Sequence, residues 1–120
     1  MTEADRLGAY LRGLSAESRA ALLLRLKGFR ILARRFAAPV GEIDLVALRG
    51  RTLAFVEVKA RRDLAAGLEA IRPQQRARIR RGAEAFLARH PRLATCDMRF
   101  DVVVVVPGRL PRHLPNAFGI

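Results

Sequence analysis

Three residues of this chain have types and a spacing that together could do chemistry. They are Asp44, Glu57 and Lys59. All fall within Gly41 to Lys59, GEIDLVALRGRTLAFVEVK, which reads as two strands joined by a tight turn. Ile, Leu, Val and Phe dominate Glu42 to Leu48 and Leu53 to Lys59, as packed pleated surfaces prefer. Gly50-Arg51 lies between them, and glycine in the first central position suits a two-residue type II′ turn. That turn fixes the register: Arg49 faces Thr52, Asp44 faces Glu57 and Glu42 faces Lys59. Side chains alternate along a strand, so these four charged groups share one face at one end of the hairpin.

Two carboxylates facing each other across a strand pair have Cβ atoms roughly 5 Å apart and repel. Repulsion raises one pKa unless a cation sits between them. Oxygen-only ligands favour Mg²⁺ or Mn²⁺ over Zn²⁺. Lys59 projects into the same space, where an amine orients a water or neutralises a phosphate. The other face of the hairpin is apolar, with Ile43, Leu45 and Ala47 on one strand and Ala54, Val56 and Val58 on the other. Two other readings remain open at this point. Glu42 pairs with Lys59 while Asp44 is tied up by backbone amides, or the acids belong to a protein that binds nucleic acid without cutting it.

Asp44 followed by Glu57-Val58-Lys59 resembles the D…(D/E)xK signature of restriction-endonuclease-like nucleases, the PD-(D/E)xK superfamily. Gly41-Glu42-Ile43-Asp44-Leu45 with Phe55-Val56-Glu57-Val58-Lys59 more closely resembles an uncharacterised bacterial family. Its members are predicted endonucleases related to archaeal Holliday-junction resolvases. The likeness runs from about Glu17 to Phe118. It implies a metal-dependent endonuclease acting on DNA, including branched or irregular structures, with Mg²⁺ or Mn²⁺ as cofactor. Asp44 and Glu57 would be metal ligands, with the Val58 carbonyl nearby and Lys59 catalytic. The resemblance adds Glu17 as a further ligand, although Ala16 stands where relatives carry Gly. By itself, Glu17 reads as a first-turn acid favoured by the helix dipole. Gln75 falls where relatives often carry Lys, and the resemblance gives it a place beside the attacking water. Gln74 is its rival, and an ordinary solvent-facing Gln is the plainer reading.

The elements around the hairpin follow from patterning. Leu7, Tyr10, Leu11 and Leu14 suggest that residues 1–14 form a short helix or a frayed arm, ahead of a single domain over 15–120. Ser15 caps a helix that runs to about Lys27 and stops at Gly28. Phe29 to Phe36 reads as a strand. Its Arg34 and Arg35 either flank the acidic corner and attract phosphate or protect a sheet edge. Arg61 and Arg62 sit in a stretch to Gly67 that reads as a loop or flap and are candidates for phosphate contacts. Residues 68–89 read as a basic amphipathic helix whose start proper is Arg72 to Pro73, since proline suits a first turn and breaks an interior, with Arg72 and Arg76 among its nucleic-acid-facing groups. Val102 to Val106 continue a strand beginning at Asp97 and buried on both faces. Arg99 and Asp101 point the same way along it, so Asp101 is assigned to a structural ion pair or cap. Neither His90 nor His113 has a metal-ligand partner at useful spacing. The order helix, three strands, helix, strand predicts an α/β fold of restriction-endonuclease-like α-β-β-β-α-β core. Its mixed sheet is flanked by helices, and the last strand is parallel to a hairpin strand.

Global composition agrees with a polyanionic partner. The 120 residues carry 23 Lys and Arg against 11 acids, a formal net charge of +12. Such an excess predicts nucleic acid, most plausibly DNA. No apolar run reaches the ~20 residues of a membrane span. A single cysteine, Cys96, excludes an internal disulfide and points to the cytoplasm. A branched substrate would suit a homodimer.

Overall fold

The computed structural model describes residues 1–118; the last two residues of the expected 15–120 domain lie outside the described residues. Helices α1 (Glu3–Gly13) and α2 (Ala16–Leu26) lead into three strands, β1 (Arg30–Ala38), β2 (Gly41–Arg49) and β3 (Thr52–Ala60). Helices α3 (Leu64–Glu69) and α4 (Pro73–Arg89) follow, then a 3₁₀ turn, Pro91–Thr95. Strands β4 (Asp97–Val105) and β5 (Arg112–Leu114) complete the order. The sheet runs β1-β2-β3-β4-β5; β3 and β4 are parallel and the other neighbours antiparallel. The fold is therefore α/β, a mixed sheet with helices on both faces. Its first four strands and α2 and α4 give the expected α-β-β-β-α-β order.

Local chemistry explains the element ends. The Ser15 hydroxyl accepts the Ser18 amide at the start of α2. At its other end the amides of Gly28 and Phe29 donate to the carbonyls of Arg25 and Leu24, a Schellman closure. Phe29 and Leu24 pack in the same core. Gly50 has φ 58° and Arg51 is not left-handed, which matches a type II′ turn. The observed pairs Arg49↔Thr52 to Leu45↔Val56 keep the expected register.

Two cores sandwich the sheet. On one face α4 lays Ile79, Ala83 and Phe86 onto Val46, Leu53, Phe55 and Phe100. On the other, α2 lays Ala20, Ala21 and Leu24 onto Leu45, Ala47, Val56 and Val103. Gly41 lets β2 approach α4 closely: an added Cβ would lie 2.1 Å from the Arg78 carbonyl oxygen and 2.7 Å from the Gly82 amide.

Three details differ from the sequence reading. Leu64 to Gly67 is helical, part of α3, rather than a flap. Asp63 caps it by accepting the Ala66 amide at 2.8 Å, and Gly67 presses against Val104. Residues 68 and 69 belong to α3, while α4 starts at Pro73 with Arg72 as its N-cap, as the proline implies. Ile43 does not share a face with Leu45 and Ala47. It packs against Gly82 of α4, because β2 abandons strict alternation where its ladder with β3 ends at Leu45. Strand β5 is an element that the sequence reading lacks.

Candidate active site

The site forms where β2 and β3 part. Beyond Leu45↔Val56 no regular pair joins them, and the Asp44 side chain fills the gap. Its Oδ2 accepts the Val58 backbone amide at 2.8 Å. That bond fixes the Asp44 carboxyl against β3, in the same cleft as the Glu57 carboxyl. Glu57 is buried, only 7% exposed. Burial first, then the hydrogen bond and charge of Asp44, push its pKa up to about 9, against a smaller opposing pull from Lys59. The Lys59 ammonium lies 3.8 Å from Glu57 Oε1, and its side chain is mostly buried. The three groups singled out in the sequence are thus brought together.

A cleft of about 300 Å³ opens over the two acids, lined by Glu42, Asp44, Glu57, Gln74, Gln75, Arg78 and Ile79. Both glutamines come from the first turn of α4, whose amide end favours an anion. Gln75 and its rival Gln74 both line the cleft. Glu42 does not pair with Lys59; its Oε1 accepts from Arg78 at 3.0 Å.

Glu17 is placed differently. Arg34 Nε donates to its Oε1 at 2.7 Å and Arg35 Nε to its Oε2 at 2.6 Å. Burial raises the Glu17 pKa, but the two arginines outweigh it and hold the carboxyl below its usual range. Among the described residues no cluster of three or more His, Cys, Asp or Glu is poised to hold a metal. Two consecutive strand residues reach one carboxylate because Arg35 is left-handed, at φ 53°. It lies between the pairs Arg34↔Leu45 and Phe36↔Ile43, beside Asp44, whose charge it feels. Strain at a non-glycine residue beside a site of this kind is a recurrent functional feature.

The remaining expected contacts lie outside the lining of this cleft. Arg61 and Arg62 follow β3; Arg62 is almost fully exposed and approaches only Asp63, at 3.6 Å. Arg72 precedes α4 and is exposed, while the Arg76 guanidinium lies 5.6 Å from the Phe118 ring centre. Among the described residues no helix is long and apolar enough to cross a membrane.

A sequence model described as "Uncharacterised protein family UPF0102" matches residues 16–105. A UPF0102 protein of Methylorubrum extorquens (strain PA1) is 60% identical over 117 residues, covering 98% of this chain and 91% of that one. One from Parvibaculum lavamentivorans is 56% identical, covering 96% and 86%. Among solved structures, Archaeoglobus fulgidus Hjc, a Holliday junction resolvase, is similar with 25% identity and a TM-score of 0.43, over 80% of this chain and 74% of its own.

Proposed function

We propose that this chain, which belongs to the uncharacterised protein family UPF0102, is a divalent-metal-dependent endonuclease that hydrolyses phosphodiester bonds in DNA. One observation carries the reading: two carboxyls line one cleft, one of them is buried, and a mostly buried lysine lies 3.8 Å from that buried acid.

The donor set fits a hard cation. Glu57 and Asp44 offer oxygen, and the Val58 carbonyl lies in the chain between Glu57 and Lys59. Mg²⁺ is commonly held by one or two carboxylates, with water and substrate phosphate completing its shell. The protonated state that burial imposes on Glu57 is what such an ion would replace. When bound, the ion supplies Lewis acidity at a phosphoryl oxygen. The chain's own residues do the rest. Asp44, pinned by the Val58 amide, sets the direction of the ligand oxygens. Lys59 stabilises negative charge as it develops on the phosphate. Gln75 or Gln74 orients a water or a phosphate oxygen from the first turn of α4. Arg61, Arg62, Arg72 and Arg76 hold the backbone, giving salt-sensitive and mostly sequence-independent binding. On this reading Arg34 and Arg35 also face phosphate, and Glu17 would be the further carboxylate able to hold the ion. Branched DNA suits a homodimer, and the reaction belongs in the cytoplasm.

A second reading, a nucleic-acid-binding protein that does not cut, is favoured by the capture of both Glu17 oxygens by arginine. One experiment separates the two. Purified protein is incubated with linear, circular and four-way DNA, with and without Mg²⁺ or Mn²⁺. Metal-dependent cutting is expected, with Asp44→Asn and Lys59→Ala each lowering its rate by at least about 10²-fold while circular dichroism stays native. Binding without cutting supports the second reading, and no binding at physiological salt overturns both.

A further inference from the structure

A second and larger cleft, about 660 Å³, opens on the α2 side of the sheet, away from the acid pair. Arg12, Arg19, Arg61 and Arg62 line it, and none of its lining residues is acidic. Leu14 and Pro107 add apolar surface to its lining. Among the described residues, neither Arg12 nor Arg61 has a carboxylate partner, and Arg62 only approaches Asp63 at 3.6 Å. Arginines gathered around a concavity whose lining holds no acid leave a positive potential there.

Its position gives that potential a use. The cleft lies at the shared carboxyl ends of the parallel strands β3 and β4, where Val105 accepts the Arg61 amide at 3.1 Å. Ala60, one of its lining residues, directly follows Lys59. The acidic cleft opens on one face of this strand end and the basic cleft on the other. A polyanion passing over the end of β3 would touch both.

We propose that this basic cleft holds the backbone of a single nucleic-acid strand on one side of the bond presented to Lys59. The proposal rests on the nuclease reading only for the polymer that fills the cleft; the charge and shape are independent of cleavage. The cleft's arginines meet phosphates, and the apolar surface of Leu14 and Pro107 receives sugars or bases. Arg12 brings α1 into the binding surface, which gives the amino-terminal helix a role.

The test is fluorescence anisotropy of a short, mixed-sequence single-stranded oligonucleotide in chelator, so that no cutting occurs. Arg12→Glu and Arg61→Glu are compared with Arg92→Glu, which makes the same charge change at the exposed 3₁₀ turn at the opposite end of β4. Both cleft variants are expected to weaken binding about tenfold more than Arg92→Glu and to flatten the salt dependence. Equal weakening in all three overturns the cleft and leaves the nuclease intact. A cleft-dependent loss in a protein that never cuts overturns the nuclease and keeps the cleft. Failure of the wild type to bind at low salt overturns both.

Discussion

Glu57 and Asp101 sit almost level on adjacent parallel strands, as the pairs Val56↔Asp101 and Glu57↔Val102 show. Both are buried acids, yet their surroundings are opposite. Asp101 accepts two hydrogen bonds from Arg99, at 2.8 and 2.9 Å. His113 Nε2 stands 2.8 Å from its Oδ2, and the Asn116 amide donates at 2.9 Å. Burial raises its pKa, but His113, Arg99 and Asn116 outweigh that and draw it down to about 2. Glu57 has an acid for a neighbour and one lysine at a loose 3.8 Å. Burial of a carboxylate is therefore not by itself a functional mark. What separates the two is whether the protein supplies the compensating donors or leaves them to something that binds.

The sharpest way to break this contrast is to remove each acid. Asp101→Ala strands Arg99 and His113 and is expected to cost about 3–5 kcal/mol in urea denaturation. Glu57→Gln keeps shape and hydrogen-bonding capacity and should stay within about 1 kcal/mol of wild type at neutral pH. Similar losses in both would erase the distinction. Gly41→Ala should fall between, losing about 1–3 kcal/mol, because its Cβ meets the backbone of Arg78 and Gly82 and forces α4 off β2. Denaturation measured beside the rate of metal-dependent cutting would show whether the acid pair depends on that contact.

The finest test is pH. Glu57 holds its proton in the fold up to about 9 but loses it near 4.5 in the unfolded chain. Its contribution is full below 4.5 and is lost as pH rises towards 9. Asp101 behaves oppositely: its contribution is present above 3.8 and is lost as pH falls through about 2. Thermal unfolding across this range should show both slopes. Glu57→Gln should remove only the upper one, and Mg²⁺ or Mn²⁺ should flatten it in the wild type. An upper slope indifferent to both treatments would detach Glu57 from the ion.

Much of this was readable in the chain. Gly50 fixed the hairpin register, Ser15 and Gly28 bounded α2, and the valine run announced a strand buried on both sides. The ion pair of Arg99 with Asp101 follows from strand alternation. Other features depend on departures from the local rules. Alternation sends Arg34 and Arg35 to opposite faces, and only the left-handed turn at Arg35 lets both seize Glu17. Ile43 changes faces because the ladder stops at Leu45, where tertiary packing on α4 overrides the pleat. Strand β5 is three residues between Pro111 and Pro115, too short for any period to declare. The link from His113 to Asp101 is long-range; the only hint was a buried acid in need of donors. The flap reading missed α3 although Asp63, a good cap, stood at its start.

The partners of Asp101 have one more consequence. His113 and Asn116 lie 12 and 15 residues downstream of the acid they satisfy. While a nascent chain is still emerging from the ribosome, β4 can exist without them, but the acid inside it has only Arg99 for company. Closing the sheet around Asp101 must then wait until the segment carrying His113 and Asn116 has joined it.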